Sequence, residues 1–150
     1  MSNESNESNS AEDIFNSGFN CAQAVLASHC EKYGLDKEHA LKISCGFGGG
    51  MGHIGEVCGA VTGALMLIGL KYGKYKADDN KASEKTYALV KEFTENFKAK
   101  YGSIKCKDLI KYDISYKEEL LKAYEAGVFG EICPEIVSDA EELVEEILDR

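Results

Sequence analysis

The chain has 150 residues, a formal net charge of −9 and six cysteines. This length fits one domain whose core needs no disulfide staples. The acidic balance argues against a phosphate-binding surface, so we predict no nucleic-acid partner. The longest apolar stretch without a charge, residues 57–70, is shorter than the roughly 18–20 residues that cross a bilayer, so we predict no membrane span.

The first ten residues form a polar tract of Ser, Asn and Glu after the initial Met. The tract has neither the basic nor the apolar region of a targeting peptide. We therefore predict a disordered tail at residues 1–10 and a single all-α redox or metal-binding domain at residues 11–150. Without an export signal we expect a cytoplasmic protein, in which clustered cysteines indicate metal binding or redox chemistry more often than disulfides.

Apolar residues recur at helical spacing along the rest of the chain, and no segment alternates as a strand does. This pattern predicts an all-α fold, a compact bundle of about five to seven helices with a Gly-rich loop before the central helix. The predicted helices are residues 11–33 with an interruption at Gly18, 37–44, 58–72, 78–101, 106–110, 115–126, and 133 to the end. The predicted caps are Asn20, Asp36, Ser115 and Cys133. In the long helix we place Tyr87, Val90, Phe97 and Tyr101 on one apolar stripe.

Residues 46–55 contain six glycines in ten positions. Because each glycine costs a helix about 1 kcal/mol, we predict a loop here, used where the backbone must approach a cofactor or another helix closely. One formal match to the dinucleotide fingerprint, at residues 50–55, follows a helical segment instead of a strand, and no phosphate-binding lysine follows it. Nucleotide binding is therefore not predicted.

Four of the six cysteines stand where a predicted helix begins: Cys21, Cys58, Cys106 and Cys133. The free N–H groups and partial positive charge of a helix start stabilise a thiolate. We predict these four as metal ligands, although their wide spacing differs from the paired cysteines of zinc ribbons and ferredoxins. Cys30 is predicted to lie in the core, and Cys45, which precedes the glycine loop, is a reserve ligand.

Four further residues are predicted to contact the cofactor. Gly49 and Gly50 belong to the glycine loop, and Gly59 directly follows Cys58. His53 lies in the same loop, five residues before Cys58, where an imidazole can accept a proton, ligate a metal or bond to a sulfur.

Several segments resemble one known bacterial and archaeal family, named C_GCAxxG_C_C and described as redox-active. They are Asn20-Cys21-Ala-Gln-Ala-Val, the glycine loop, Cys58-Gly59-Ala60-Val-Thr-Gly63, and the single cysteines Cys106 and Cys133. The resemblance extends from about residue 12 to the C-terminus and selects the same four cysteines, with the order Cys-Gly-Ala in place of the family's Gly-Cys-Ala. A similar domain of split-Soret cytochromes is associated with an iron–sulfur site, so the resemblance favours a cluster.

The leading hypothesis is therefore an iron–sulfur cluster, [2Fe–2S] or [4Fe–4S], held by the four cysteines for electron transfer or redox sensing. Two alternatives stay open: a thiol–disulfide oxidoreductase that uses a cysteine pair, and a structural zinc site in an interaction module. Whether the protein is an enzyme is also open. The expected partner is a redox protein, and the small residues of helix 58–72 fit packing within the monomer or across a homodimer.

Overall fold

The structure, a computed structural model, describes residues 10–150, so the predicted tail lies almost entirely outside the described residues. In this range the only extended pairing is an isolated antiparallel bridge between Val57 and Lys105. The helical segments are α1 (Ala11–Asn16), α2 (Cys21–His29), α3 (Lys37–Ser44), α4 (Gly48–Met51), α5 (Gly59–Tyr72), α6 (Asn80–Tyr101), α7 (Cys106–Ile110), α8 (Lys117–Ala126), α9 (Val128–Glu131) and α10 (Cys133–Leu148). The prediction of an all-α fold is confirmed. None of the helices described is long and apolar enough to cross a membrane.

The predicted first helix is divided in two. α1 ends before Gly18, whose φ of +121° no right-handed helix accepts, and Asn20 then caps α2 through a reciprocal capping box with Gln23. A 3₁₀ turn over residues 30–33 follows α2, and Gly34 ends it in the left-handed conformation. The interruption and the second cap were both predicted.

The centre of the molecule is the contact between α2 and α5. A Cβ atom at Gly63 would lie 2.7 Å from the carbonyl oxygen of Ala22, and one at Gly59 would lie 2.8 Å from the Ala22 nitrogen. Real side chains do not tolerate such distances, so the two helices touch backbone to backbone only because these positions are glycine. The small-residue face of α5 is therefore covered by α2 of the same chain.

Buried apolar side chains form two clusters. The larger cluster joins α1, α2, α3, α5, α6 and α10 around residues such as Leu26, Leu67, Phe93, Phe97 and Ile147. The smaller cluster lies among α7, α8, α9 and the start of α10, and its buried members are Cys106, Ile110, Ile114, Ala123, Val128 and Cys133. The side chain of Cys21 packs against both, so this cysteine lies at the boundary between the clusters.

Two local predictions are wrong. Ser115 does not cap α8: its hydroxyl donates to Asp113 instead, and the helix begins two residues later with Tyr116 as N-cap. Tyr87 is 67% exposed and does not lie on the buried stripe of α6, which is centred on Phe93 and Phe97. Helical periodicity locates an apolar stripe, but the neighbouring helices decide how much of it they cover.

The glycine loop folds into a tight turn. The turn of α4 is left-handed, because Gly49, Gly50, Met51, Gly52 and His53 all have φ between +58° and +70°. Glycine adopts this conformation freely, whereas Met51 and His53 each pay a steric cost of about 1–2 kcal/mol. The segment was predicted as a loop. The structure instead has a 3₁₀ turn at Cys45–Phe47 followed by this compact left-handed turn.

Candidate thiol site

The four predicted cysteines stand at four helix starts. Cys21, Cys106 and Cys133 are the first residues of α2, α7 and α10, and Cys58 is the N-cap of α5. At α10, Ile132 is the N-cap in place of Cys133, and Pro134 occupies the first turn, where its missing N–H costs nothing. Only Cys21 is partly exposed, whereas the other three retain 5–7% of their accessible surface.

The fold brings these thiols together. Cys21 and Cys133 line one cavity, and a Cβ atom at Gly59, the residue after Cys58, would lie 3.2 Å from the Cβ of Cys21. The charges of Cys58 and Cys133 also act on Cys106. Four cysteines, each separated from the next by 27 to 48 residues along the chain, therefore share one neighbourhood.

The thiols differ in acidity according to their surroundings. The pKa of Cys58 is lowered, chiefly because Cys21 donates to it and further because the N–H groups of Ala60 and Val61 face it. The pKa of Cys21 is raised well above its usual value by its bonds to Cys133 and Cys58 and by burial. Burial raises the pKa of Cys106 to about 12, with the charges of Cys58 and Cys133 adding to the effect. The surroundings of Cys58 therefore favour its thiolate, whereas those of Cys21 and Cys106 favour the thiol.

No three of these sulfurs form a close triangle. Among the described residues, a single group of three or more His, Cys, Asp or Glu ligand atoms lies within 4.8 Å of one another, and it contains no cysteine. The site is thus a set of neighbouring thiols, more open than the ligand shell of a single ion.

Two chain segments position Cys58 beside Cys106. The N–H of Cys58 donates to Ile104 over 2.7 Å, and the N–H of Cys106 donates to Glu56 over 2.6 Å. These bonds flank the bridge between Val57 and Lys105, so the segments that lead into α5 and α7 are paired. This pairing leaves no trace in the sequence, because a bridge of one residue on each side produces no alternating pattern.

Two of the predicted glycines contact the cysteines. A Cβ atom at Gly50 would lie 2.8 Å from the Cβ of Cys106, and one at Gly59 would lie 3.2 Å from the Cβ of Cys21. The imidazole of His53 packs on Gly49 and is exposed to solvent. The left-handed turn therefore lies directly against the site, with its backbone close to Cys106 and its histidine at the surface.

A cavity of about 190 Å³ opens onto the site. Cys21 and Cys133 line it, together with Asn20, Gly49 and His53. Three aromatic residues complete its wall, namely Phe15, Phe129 and Tyr124. These aromatic residues were not predicted from the sequence. Tyr124 and Phe129 flank Gly127, the glycine that ends α8, and their rings lie 5.0 Å apart.

The two remaining cysteines lie outside this arrangement. Cys30 is fully buried in the larger cluster, and its thiol faces the carbonyl oxygen of Ala27 at 3.7 Å, which confirms the core prediction. Cys45 is exposed and lines a separate shallow cavity with His53 and the glycine turn.

The structure is therefore that of an all-α protein with a site formed by cysteines at helix starts, next to a glycine turn. The model of one family, described as "Putative redox-active protein (C_GCAxxG_C_C)", matches residues 19–147. The chain therefore belongs to this family. No curated protein and no solved structure matches the chain.

Proposed function

We propose that Cys21, Cys58, Cys106 and Cys133 hold an iron–sulfur cluster and that the protein serves electron transfer or redox sensing. The observation that carries the proposal is the placement of the four cysteines: Cys21 and Cys133 line one cavity, Gly59 beside Cys58 packs on Cys21, and the segments that hold Cys58 and Cys106 are paired. When bound, such a cluster accepts a single electron from a reduced partner and returns it to an oxidised one.

The donor set fits this role. Each thiol lies in the first turn of a helix or caps it, so free backbone N–H groups face the place where negative charge accumulates. Four thiolates in a buried site repel one another, and a cationic centre removes that repulsion. N–H groups near the sulfurs also stabilise the reduced state and tune the potential.

The sulfur spacing favours a cluster over a single zinc ion. Zinc–sulfur bonds of about 2.3 Å in a tetrahedron place every pair of sulfurs about 3.8 Å apart. No three thiols of the described chain lie within 4.8 Å of one another, so the mutually close set of sulfurs that this shell requires is not formed. A cluster would be held by the same four cysteines through more than one iron, and so would not require them all to meet at a single ion.

The distribution of acidity favours a cluster over thiol–disulfide exchange. An exchange catalyst needs an accessible thiolate. Here the partly exposed thiol, Cys21, has a raised pKa, and the thiol with a lowered pKa, Cys58, is only 5% exposed. The accessible and the reactive thiol are thus different residues.

Anaerobic reconstitution with ferrous iron and sulfide tests the proposal. We expect visible absorption at about 320–420 nm, iron and acid-labile sulfide in the wild-type chain. Cys58→Ser should lose most of the bound iron while keeping its helical circular dichroism. Cys30→Ser and Cys45→Ser are matched controls, because each removes one thiol outside the site, and they should keep the wild-type iron content.

The other outcomes distinguish the alternatives. A colourless protein with one tightly bound zinc ion, lost in Cys58→Ser, would replace the cluster by a structural zinc site. A metal-free protein that gains and loses a disulfide between two of the four cysteines would indicate an oxidoreductase. Equal iron loss in the control variants would remove the assignment of these four ligands.

A further inference from the structure

A second group of metal-binding side chains lies away from the thiols. His29 ends α2, and Glu141 and Glu145 lie one turn apart on α10. Their ligand atoms are all within 4.8 Å of one another, the one such group among the residues described. Because α2 rises about 1.5 Å per residue, His29 lies about 12 Å along the helix from Cys21. This group is therefore distinct from the thiol site.

The distances within the group suit a cation. The Nε2 atom of His29 lies 3.1 Å from Glu141 Oε2 and 3.0 Å from Glu145 Oε2. Neighbouring ligands of an octahedral ion with bonds of about 2.1 Å are separated by about 3.0 Å. A ring nitrogen carries at most one proton, and one proton cannot be directed equally well at two carboxylates. A divalent ion can bind all three atoms and neutralise both acidic charges.

A hydrogen bond from a residue outside the group holds the Glu141 side chain in place. The second oxygen of Glu141 accepts the N–H of Ala11 over 2.8 Å, at the start of α1. That bond leaves Oε2 directed at His29, in the manner of the outer partners that orient metal ligands. His29 and Glu141 side chains are each 14% exposed, so their positions are limited by packing.

Solvent can reach the group. A cavity of about 290 Å³ opens beside His29 and is lined by Ala27, Ser28, Glu31 and Lys32. The side chain of Glu145 is 40% exposed. An ion with three protein ligands would therefore have room to keep water in its remaining positions.

We infer that His29, Glu141 and Glu145 form a second metal site, which binds a first-row divalent cation through one imidazole and two carboxylates. The inference is independent of the iron–sulfur proposal, because it rests on different residues of the fold. An imidazole with two carboxylates suits Mn²⁺, Fe²⁺ or Zn²⁺ better than a soft ion such as Cu⁺.

Mn²⁺ is the probe for this site, since it prefers oxygen ligands and avoids the thiols. Titration of the full chain, with free Mn²⁺ followed by electron paramagnetic resonance, should reveal one saturable site. Glu145→Gln and His29→Gln should each weaken binding by at least about tenfold. Paramagnetic broadening in NMR spectra should be strongest for amides near Ala11, His29 and Glu141.

Two variants serve as controls. Glu142→Gln removes the same charge from an exposed neighbour on α10, and His39→Gln removes an exposed imidazole elsewhere. Both should bind Mn²⁺ as the wild type does. The absence of a saturable site would overturn the inference and leave only a His–Glu ion pair. Equal weakening in Glu142→Gln would also overturn it, since binding would then follow the general acidity of α10. Glu145→Gln, at a partly exposed position, separates ligand loss from misfolding.

Discussion

The two hydrophobic clusters differ in what stabilises them. The larger cluster consists mainly of buried aliphatic and aromatic side chains from six helices, and only two of its 22 buried members, Cys30 and Cys58, are cysteines. The smaller cluster has six buried members, of which two are the site cysteines Cys106 and Cys133. Apolar burial, at about 25 cal/mol per Å², therefore dominates the stability of the first cluster. The second depends on the chemical state of thiols that lie on its boundary with the first.

This difference explains how the cysteines can be held in position without the closely spaced cysteine pairs of zinc ribbons and ferredoxins. α2, α5 and α10 extend from the larger cluster. Of the cysteines at their starts, Cys58 belongs to the larger cluster, Cys21 packs against both, and Cys133 belongs to the smaller one. The rigid part fixes the position of three thiols. α7, α8 and α9 pack next to these thiols and bury few apolar side chains. We therefore expect these three helices to be the first to unfold locally.

The largest expected effect is the loss of an aromatic side chain in the larger cluster. Phe97 is 0% exposed, and its ring lies 4.9 Å from that of Tyr101. Phe97→Ala should lower the free energy of unfolding by about 3–5 kcal/mol, measured by urea denaturation. Ile110→Ala, in the smaller cluster, should accelerate hydrogen exchange chiefly in α7, α8 and α9. Equal acceleration throughout α2 and α5 would contradict the distinction between the clusters.

The second effect tests the boundary between the clusters. Gly50 has φ of +70°, and an added Cβ would lie 2.6 Å from the nitrogen of Glu56 and 2.8 Å from Cys106. Gly50→Ala should cost about 2–4 kcal/mol, from strain and overpacking together. Gly52→Ala is the matched control, because its φ is +58° and the nearest atom would be 3.9 Å away. It should cost only about 1–2 kcal/mol. Similar losses in both variants would mean that the turn does not pack on the site.

The third effect tests the central helix contact. Gly63→Ala would place a Cβ 2.7 Å from the carbonyl oxygen of Ala22 and should destabilise the protein by about 1–3 kcal/mol. Gly69, in the same helix, has no atom within 4 Å of the equivalent position. Gly69→Ala should therefore raise the free energy of unfolding, by up to about 1 kcal/mol. If Gly63→Ala were also stabilising, the close approach of α2 and α5 would be wrong.

The smallest effect concerns His29, the last residue of α2. The pKa of His29 is raised, mainly by its hydrogen bond to Glu141 and further by the charge of Glu145, against the opposing effects of burial and Lys32. A group whose pKa is raised on folding stabilises the protein below its unfolded pKa of about 6.5, and this contribution disappears as the pH rises through the folded pKa. In the presence of a chelator, the stability difference between wild type and His29→Gln should therefore be greatest near pH 5 and decline toward pH 9. A difference that grows with pH would contradict this ion pair.

Local rules were sufficient for most helix boundaries. Asn20 and Asp36 cap the helices that they were predicted to cap, because a short polar side chain next to a helix start has a partner only two or three residues away. Ser115 shows the limit of the same rule, since Asp113 competes successfully for its hydroxyl. Local patterns cannot decide between two nearby partners when both are available.

The sequence by itself determined the all-α class, the approximate position of the longer helices and the helix-start position of four cysteines, because caps, glycines and apolar periodicity act within a few residues. Only the tertiary structure decided which thiols meet, how the turn from Gly49 to His53 folds against Cys106, and that His29 faces Glu141 and Glu145. These features depend on contacts between residues far apart in the chain. Such contacts are set by the packing of whole helices, and no local pattern records them.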